Sequence, residues 1–108
     1  MSYFVQRAET AQHTIFPGVE VFTMHGAHLM LSYVEIQPGG VVEEHSHPHE
    51  QLGLLLEGEL DFTIGGERRI VRKGDMWRIP GGVLHSAVGG PQGCHALDVF
   101  YPIREEYT

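Results

Sequence analysis

Residues 39–58 read GGVVEEHSHPHEQLGLLLEG, and within them His45, His47 and Gln51 follow one another at spacings of two and four. On a β-strand, residues two apart point to the same face, so this spacing predicts that the three side chains project together. Neighbouring imidazoles with free lone pairs suit a borderline divalent metal ion. The pattern therefore predicts a metal site, with a pair of surface or hydrogen-bonded histidines as the alternative.

A second stretch, residues 74–89, reads GDMWRIPGGVLHSAVG and supplies a further histidine, His85. The two stretches fit the spacings G-x5-H-x-H-x3-(E/Q)-x6-G and G-x5-P-x-G-x2-H-x3-N, apart from Gly89 in place of the final Asn. This two-part pattern resembles the cupin superfamily. The resemblance implies an all-β fold, a jelly-roll barrel also described as a double-stranded β-helix, with one divalent transition metal ion per chain inside it.

The resemblance also implies the metal ligands, which are His45, His47, Gln51 and His85. Gln51 replaces the glutamate that is usual at its position, so all four ligands are neutral. They would leave the full charge of a 2+ ion (Ni, Zn, Mn, Fe or Co) inside the barrel, which favours binding of an anion over activation of oxygen. A degenerate site without metal is the alternative.

The composition limits the size and the partners of the protein. At 108 residues the chain is long enough for one domain, predicted over residues 1–108, and too short for two. Seven Lys and Arg against fourteen Asp and Glu give a net charge of −7, which argues against nucleic acid and anionic membranes as partners. The single Cys94 cannot form an internal disulfide. The chain starts without a basic and then apolar leader, so a cytoplasmic location is predicted.

Short apolar runs between glycine and proline turns predict a barrel of many short strands. The predicted strands are Val19–Met24, Leu29–Gln37, Leu52–Leu56, Leu60–Ile64, Arg68–Arg72, Met76–Ile79, Leu84–Val88 and Ala96–Tyr101. They place the barrel core at about residues 19–103, with a turn at Gly89-Gly90-Pro91. The first ten residues are predicted to form an extra edge strand or a partner contact, and the last four a solvated tail.

Asp98 lies inside an apolar strand, where aspartate is disfavoured. It shares a face of that strand with Phe100, whereas Leu97, Val99 and Tyr101 form the other face. If the Asp98 face lines the cavity, its carboxylate could transfer protons beside the metal site. The alternatives are a solvent-facing residue and a structural ion pair.

Arg104 follows soon after this strand, and it could clamp a carboxylate at the mouth of the barrel or be a surface residue. The run HSHPHEQ over residues 45–51 and the ending D-x-F-x3-R resemble the KdgF-type cupins of pectin and alginate breakdown. That resemblance implies the catalytic residues Asp98, Phe100 and Arg104. It also implies the reaction, in which a 4,5-unsaturated uronate monosaccharide, a small anionic sugar, is opened to a linear 4-deoxy-5-keto uronate.

Three other functions are compatible with the same residues. They are a metal-dependent dioxygenase (quercetinase-like or thiol dioxygenase-like), a non-catalytic cupin that binds a sugar or another small molecule, and an isomerase or cyclase with a different substrate. A homodimer is also predicted, because small barrels have open sheet edges that need covering. The apolar outer face of Leu97, Val99 and Tyr101 is the predicted contact.

Overall fold

The computed structural model describes residues 2–108, and eight β-strands account for most of them. The strands are β1 (Ala11–Phe16), β2 (Val19–His25), β3 (Met30–Ile36), β4 (Val41–His45), β5 (Glu50–Ile64), β6 (Glu67–Arg72), β7 (Met76–Ile79) and β8 (His85–Tyr101). Two 3₁₀ helices, Arg7–Glu9 and Glu105–Tyr107, lie before and after the strands. Within residues 2–108 there is no α-helix, and no helical segment is long and apolar enough to span a bilayer. The all-β prediction is confirmed.

The two longest strands, β5 and β8, pair with each other along their whole length and form the centre of the barrel. Towards one end of the barrel, β8 also pairs with β3, and β5 also pairs with β7. On the outer side of β3, β2 pairs with β3 and β1 pairs with β2. Towards the other end, β8 pairs with β4 and β5 with β6. All of these pairs are antiparallel. The result is the expected double-sheet barrel, with sheets β1-β2-β3-β8-β5-β7 and β4-β8-β5-β6 that share their two long strands.

Both long strands are irregular where the two sheets meet. Gly58 of β5 has a φ of 82°, and a Cβ at this position would lie 2.1 Å from the carbonyl oxygen of Gly93. Residues 90–93 of β8 lie opposite the single Glu59 of β5, so β8 bulges there. The predicted turn at Gly89-Gly90-Pro91 is therefore wrong, because these residues belong to a bulge within one continuous strand.

The remaining strand predictions agree with the structure except at four places. The predicted runs Leu52–Leu56 and Leu60–Ile64 are both parts of β5, and Leu84–Val88 and Ala96–Tyr101 are both parts of β8. The apolar pattern misses β4, which contains two glutamates, and β1, which has no fully buried residue. The edge strand is therefore found at β1 rather than in the first ten residues, and the sheet begins before residue 19.

The strands bury alternate side chains in the barrel, as the burial of β2 and β3 shows. The apolar core consists of Val19, Val21, Val34, Ile36, Leu55, Leu60, Phe62, Val71, Trp77, Ile79, Ala87, Cys94 and Ala96. Among the described residues, seven polar side chains are buried as well, namely Thr23, Ser32, His47, Gln51, His85, Asp98 and Arg104. Buried polar groups are costly unless they are paired, so their concentration in one barrel points to a functional site.

The end of the chain folds back onto the barrel. The last 3₁₀ helix places the backbone carbonyl of Tyr107 as the acceptor for the Thr23 hydroxyl on β2. The ring of Tyr107 stacks on the ring of His13 on β1, with centroids 6.1 Å apart. Glu105, Glu106 and Thr108 are exposed, as predicted for a solvated tail, but the prediction is wrong for Tyr107, which these contacts hold against two strands.

Candidate active site

Three histidines meet at one point of the barrel. His45, His47 and His85 each offer one ring nitrogen, and the three nitrogens lie within 4.8 Å of one another. His45 ends β4 and His85 begins β8, where the two are cross-strand partners with ring centroids 4.3 Å apart. His47 lies in the loop between β4 and β5. The prediction that His45 and His47 project from the same face of one strand is therefore wrong. A loop brings the ring of His47 to the other two rings.

Backbone hydrogen bonds determine which nitrogen of each ring is free. Each Nδ1 lies 2.8–3.1 Å from a backbone carbonyl oxygen, with His45 contacting Glu43, His47 contacting His49 and His85 contacting Val83. A carbonyl oxygen can only accept, so Nδ1 carries the proton of each neutral ring and Nε2 keeps its lone pair. Metal-binding histidines are held by outer partners in this same way.

Burial keeps two rings of the cluster neutral, those of His47 and His85. The pKa of His47 is lowered from 6.5 to about 4, mainly by burial and then by the positive charge of Arg104. Burial also lowers the pKa of His85. Both rings therefore keep their lone pairs at neutral pH, which metal binding requires.

Gln51 completes a set of four donor side chains. It is buried near the start of β5, and its Oε1 lies 3.0 Å from Nε2 of His47. Because Nε2 and Oε1 are both acceptors, their lone pairs face each other, and a cation between them would remove this repulsion. Three imidazole nitrogens and one amide oxygen fit a divalent transition metal ion, so the cluster indicates a metal site.

The carboxyl group of Asp98 lies in the same cavity and is buried. Its Oδ1 accepts a 3.0 Å hydrogen bond from the indole Nε1 of Trp77, and Gln51 lines the same cavity. Burial raises the pKa of Asp98 from 3.8 to about 6, although Gln51, Trp77 and Arg104 act in the opposite direction. A carboxyl group with this pKa can hold or release a proton near neutral pH.

Phe100 and Arg104 form a wall beside His47. The buried Phe100 ring meets the His47 ring edge-on, with centroids 5.7 Å apart. The guanidinium of Arg104 lies over the rings of Phe100 and Tyr107, 5.0 Å and 4.2 Å from their centroids, and its Nε donates to Glu106 at 2.7 Å. Arg104 is only 8% exposed, so it belongs to the interior of the site and not to the surface.

The structure thus brings all seven predicted site residues together. Six of them, His45, Gln51, His85, Asp98, Phe100 and Arg104, line one cavity of about 60 Å³. His47 joins them through its contacts with Gln51 and Phe100. The arrangement can hold a divalent cation on neutral donors, exchange a proton at one carboxyl group and pair an anion with one guanidinium.

Three further aromatic residues line the cavity and are not among the predicted site residues, namely Phe62, Trp77 and Tyr107. Trp77 is the only tryptophan in the chain and lies on a predicted strand. Its contact with Asp98, 21 residues away, depends on the pairing of three strands and has no local signal. Tyr107 lies in the stretch predicted to be solvated, and no feature of the sequence marks it.

Comparisons with known proteins agree with this geometry. The cupin domain family matches residues 32–100 of the chain. The pectin degradation protein KdgF of Dickeya dadantii is 29% identical over 80 residues, which cover 73% of this chain and 73% of that protein. Dimethylsulfoniopropionate lyase DddW of Ruegeria pomeroyi is 35% identical over 65 residues, which cover 60% of this chain and 43% of that protein.

Two solved structures are similar over almost their entire length. KdgF from a Halomonas species has a TM-score of 0.89 and 26% identity, with 100% of both chains covered. An RmlC-like cupin from Shewanella frigidimarina has a TM-score of 0.89 and 27% identity, with 100% of this chain and 97% of that chain covered. The family match spans the histidine cluster, Gln51 and Asp98. The chain therefore belongs to the cupin domain family.

Proposed function

We propose that this chain opens the ring of 4,5-unsaturated uronate monosaccharides and releases linear 4-deoxy-5-keto uronates, with one divalent transition metal ion bound per chain. The observation that carries the proposal is the juxtaposition of four neutral metal-binding side chains with the carboxyl group of Asp98 and the guanidinium of Arg104. The similarity to the pectin degradation protein KdgF of D. dadantii supports it.

The proposed reaction balances without an oxidant. The substrate is a cyclic enol ether with a carboxylate next to the double bond. A proton adds to C4 and the hydroxyl of a water molecule adds to C5, which gives a hemiketal. The bond between C5 and the ring oxygen then breaks, C5 becomes a ketone, and the anomeric carbon loses water to become an aldehyde. One water molecule is consumed and one is released, so the product is an isomer of the substrate.

Each residue has a defined part in this proposal. Asp98 would deliver the proton to C4 and then accept one from the hemiketal hydroxyl, for which a pKa of about 6 is well placed. Arg104 would pair with the substrate carboxylate through its planar guanidinium, and Phe100 would face the sugar ring. His45, His47, Gln51 and His85 would hold the metal ion, which supplies a 2+ charge that attracts the anionic substrate and polarises its oxygen atoms.

The test uses protein purified without added metal, loaded in turn with Ni, Zn, Mn, Fe and Co, with metal-stripped protein as the control. Unsaturated monouronates prepared from pectin and from alginate serve as substrates, and the loss of enol-ether absorbance is followed beside an oxygen electrode. We expect the absorbance to fall with at least one metal while oxygen stays constant. Unchanged absorbance with a fully loaded site would reject the proposal.

The same assay separates the competing functions. Oxygen uptake with a phenolic or thiol substrate would identify a dioxygenase. Dimethylsulfoniopropionate is included because of the similarity to DddW, and release of dimethyl sulfide from it would identify a lyase. Binding of uronates without turnover would identify a non-catalytic sugar-binding cupin. The cytoplasmic location and the homodimeric state stay predictions.

A further inference from the structure

Trp77, Gly53 and Asp98 form a row across three neighbouring strands. Gly53 of β5 is the cross-strand partner of Trp77 on β7 and also of Asp98 on β8. Because neighbouring strands are about 4.8 Å apart, the backbones of Trp77 and Asp98 are separated by roughly 10 Å. A side chain at the middle position would normally fill the space between them.

Gly53 leaves that space to the indole of Trp77. A Cβ on Gly53 would lie 1.9 Å from the indole Nε1 and 2.0 Å from Cε2, so no larger residue is compatible with the observed position of the ring. The indole crosses over β5 and its Nε1 donates to Asp98 Oδ1 at 3.0 Å. An indole N–H can only donate, so it holds the carboxyl group through one defined oxygen.

The contact extends to the metal-binding side chains. Asp98 accepts a hydrogen bond from Trp77, and Gln51, two residues before its cross-strand partner Gly53, lines the same cavity. Oε1 of Gln51 lies 3.0 Å from Nε2 of His47, so its NH₂ group is left as a donor for Asp98, in keeping with the lowering effect of Gln51 on the pKa of that carboxyl group. The orientation of the Gln51 amide therefore depends on the position of the Asp98 carboxyl group.

We propose that Trp77, in the space that Gly53 leaves free, is a positioning residue that holds the Asp98 carboxyl group and, through it, directs Oε1 of Gln51 towards the metal site. The inference deepens the proposed function but makes its own prediction about metal affinity. An alternative in which Trp77 only fills the core must be separated from it, since the indole also packs edge-on against Phe62, with centroids 5.2 Å apart.

The first test compares Trp77→Phe with Val71→Ala. The phenyl ring keeps the aromatic packing but loses the N–H donor, whereas Val71 is a core residue outside the site cavity. Chelator competition with Zn²⁺ and with Ni²⁺ measures metal affinity, and thermal unfolding measures stability. We expect roughly a 10- to 100-fold loss of metal affinity in Trp77→Phe, and unchanged affinity in Val71→Ala despite its lower stability. Equal affinities in Trp77→Phe and the wild type would overturn the proposal, whether or not the chain opens uronates.

The second test uses the fact that the chain has one tryptophan, which gives one indole N–H signal in a ¹H–¹⁵N NMR spectrum. We expect this signal in the metal-free wild type to be shifted downfield and protected from hydrogen exchange. In Asp98→Ala it should move upfield and exchange faster, and in Gly53→Ala the displaced indole should show the same change. An indole signal that is identical in all three proteins would contradict the proposal even if Trp77→Phe fails to fold.

Discussion

Nε2 of His47 and Oε1 of Gln51 lie 3.0 Å apart although neither atom has a proton to donate. The Nδ1 proton of His47 is donated to the carbonyl of His49, and Oε1 of Gln51 is an amide oxygen, which can only accept. The fold therefore holds two electron-pair donors against each other in a buried place. This costs free energy unless a cation lies between them, so the site is organised before the ion arrives.

His47→Ala is expected to remove most of the bound metal while the fold persists, because the side chain lies in a loop and makes no contribution to the apolar core. Elemental analysis and circular dichroism check the two parts of this prediction. His49→Ala is the matched control, since it keeps the backbone carbonyl that His47 contacts and removes only a ring whose centroid lies 5.6 Å from that of His47. Equal metal loss in both variants would contradict a ligand role specific to His47.

Gln51→Glu is expected to keep or strengthen metal binding, because it adds an anionic ligand to three neutral ones. The same change lowers the positive charge of the site, so KM for an anionic uronate should rise. Chelator competition and steady-state kinetics measure the two effects. If neither quantity changes, Gln51 is not a ligand.

Asp98→Asn is expected to lower kcat by at least about 100-fold, since a positioned proton-transfer group contributes about 10² to 10⁴ in rate. Asn has nearly the same size and keeps one acceptor oxygen, so most of the metal and the fold should remain. Kinetics with metal content measured on the same sample check this. A rise in KM with normal kcat would mean that Asp98 only supports Arg104. If neither constant changes, Asp98 does not take part in turnover.

In metal-free protein, the titration of Asp98 should affect how the free energy of unfolding depends on pH. Because the pKa of Asp98 is raised from 3.8 to about 6 in the folded state, its contribution to stability is present below about pH 4 and is lost as pH rises through 6. Asp98→Asn removes this titration. The Tm of the variant minus that of the wild type should therefore increase between pH 4 and pH 7. A difference that stays constant over this range would contradict the raised pKa.

The outer face of the barrel is expected to form a homodimer contact. Val99 is the cross-strand partner of both Leu31 and Leu52, which are 41% and 51% exposed, so three apolar side chains form a row on this face. Light scattering should give twice the chain mass, and Leu52→Glu should shift it towards the monomer. Ile70→Glu, at a similarly exposed apolar position on β6, is the control. A monomeric wild type at micromolar concentration would contradict the prediction.

Where a strand is regular, sequence spacing alone predicts which of its side chains face the interior of the barrel. The alternation around Asp98 predicts which side chains share its face, and Asp98 and Phe100 both lie inside the barrel as that alternation requires. The alternation applies because β8 continues unbroken from Cys94 to Tyr101 and pairs with β3 and β5 on its two sides.

Other features depend on partners that are distant in sequence. The residues Gly89-Gly90-Pro91 are locally compatible with a turn or with a bulge, and only the continued pairing with β5 selects the bulge. The position of His47 is set partly by a hydrogen bond from the Gly82 amide to its carbonyl oxygen, which joins two loops. Neither contact can be derived from local pattern, because both require the register of paired strands.

The fold-back of the last 3₁₀ helix affects how the protein should be prepared for metal analysis. Tyr107 lines the same cavity as His45 and His85, so any residues fused after Thr108 would begin two positions after a residue of the site. A polyhistidine purification tag at that end would bring additional imidazoles to the mouth of the site, where they could compete for the ion or cap it. Metal content and affinity should therefore be measured on protein whose tag has been removed.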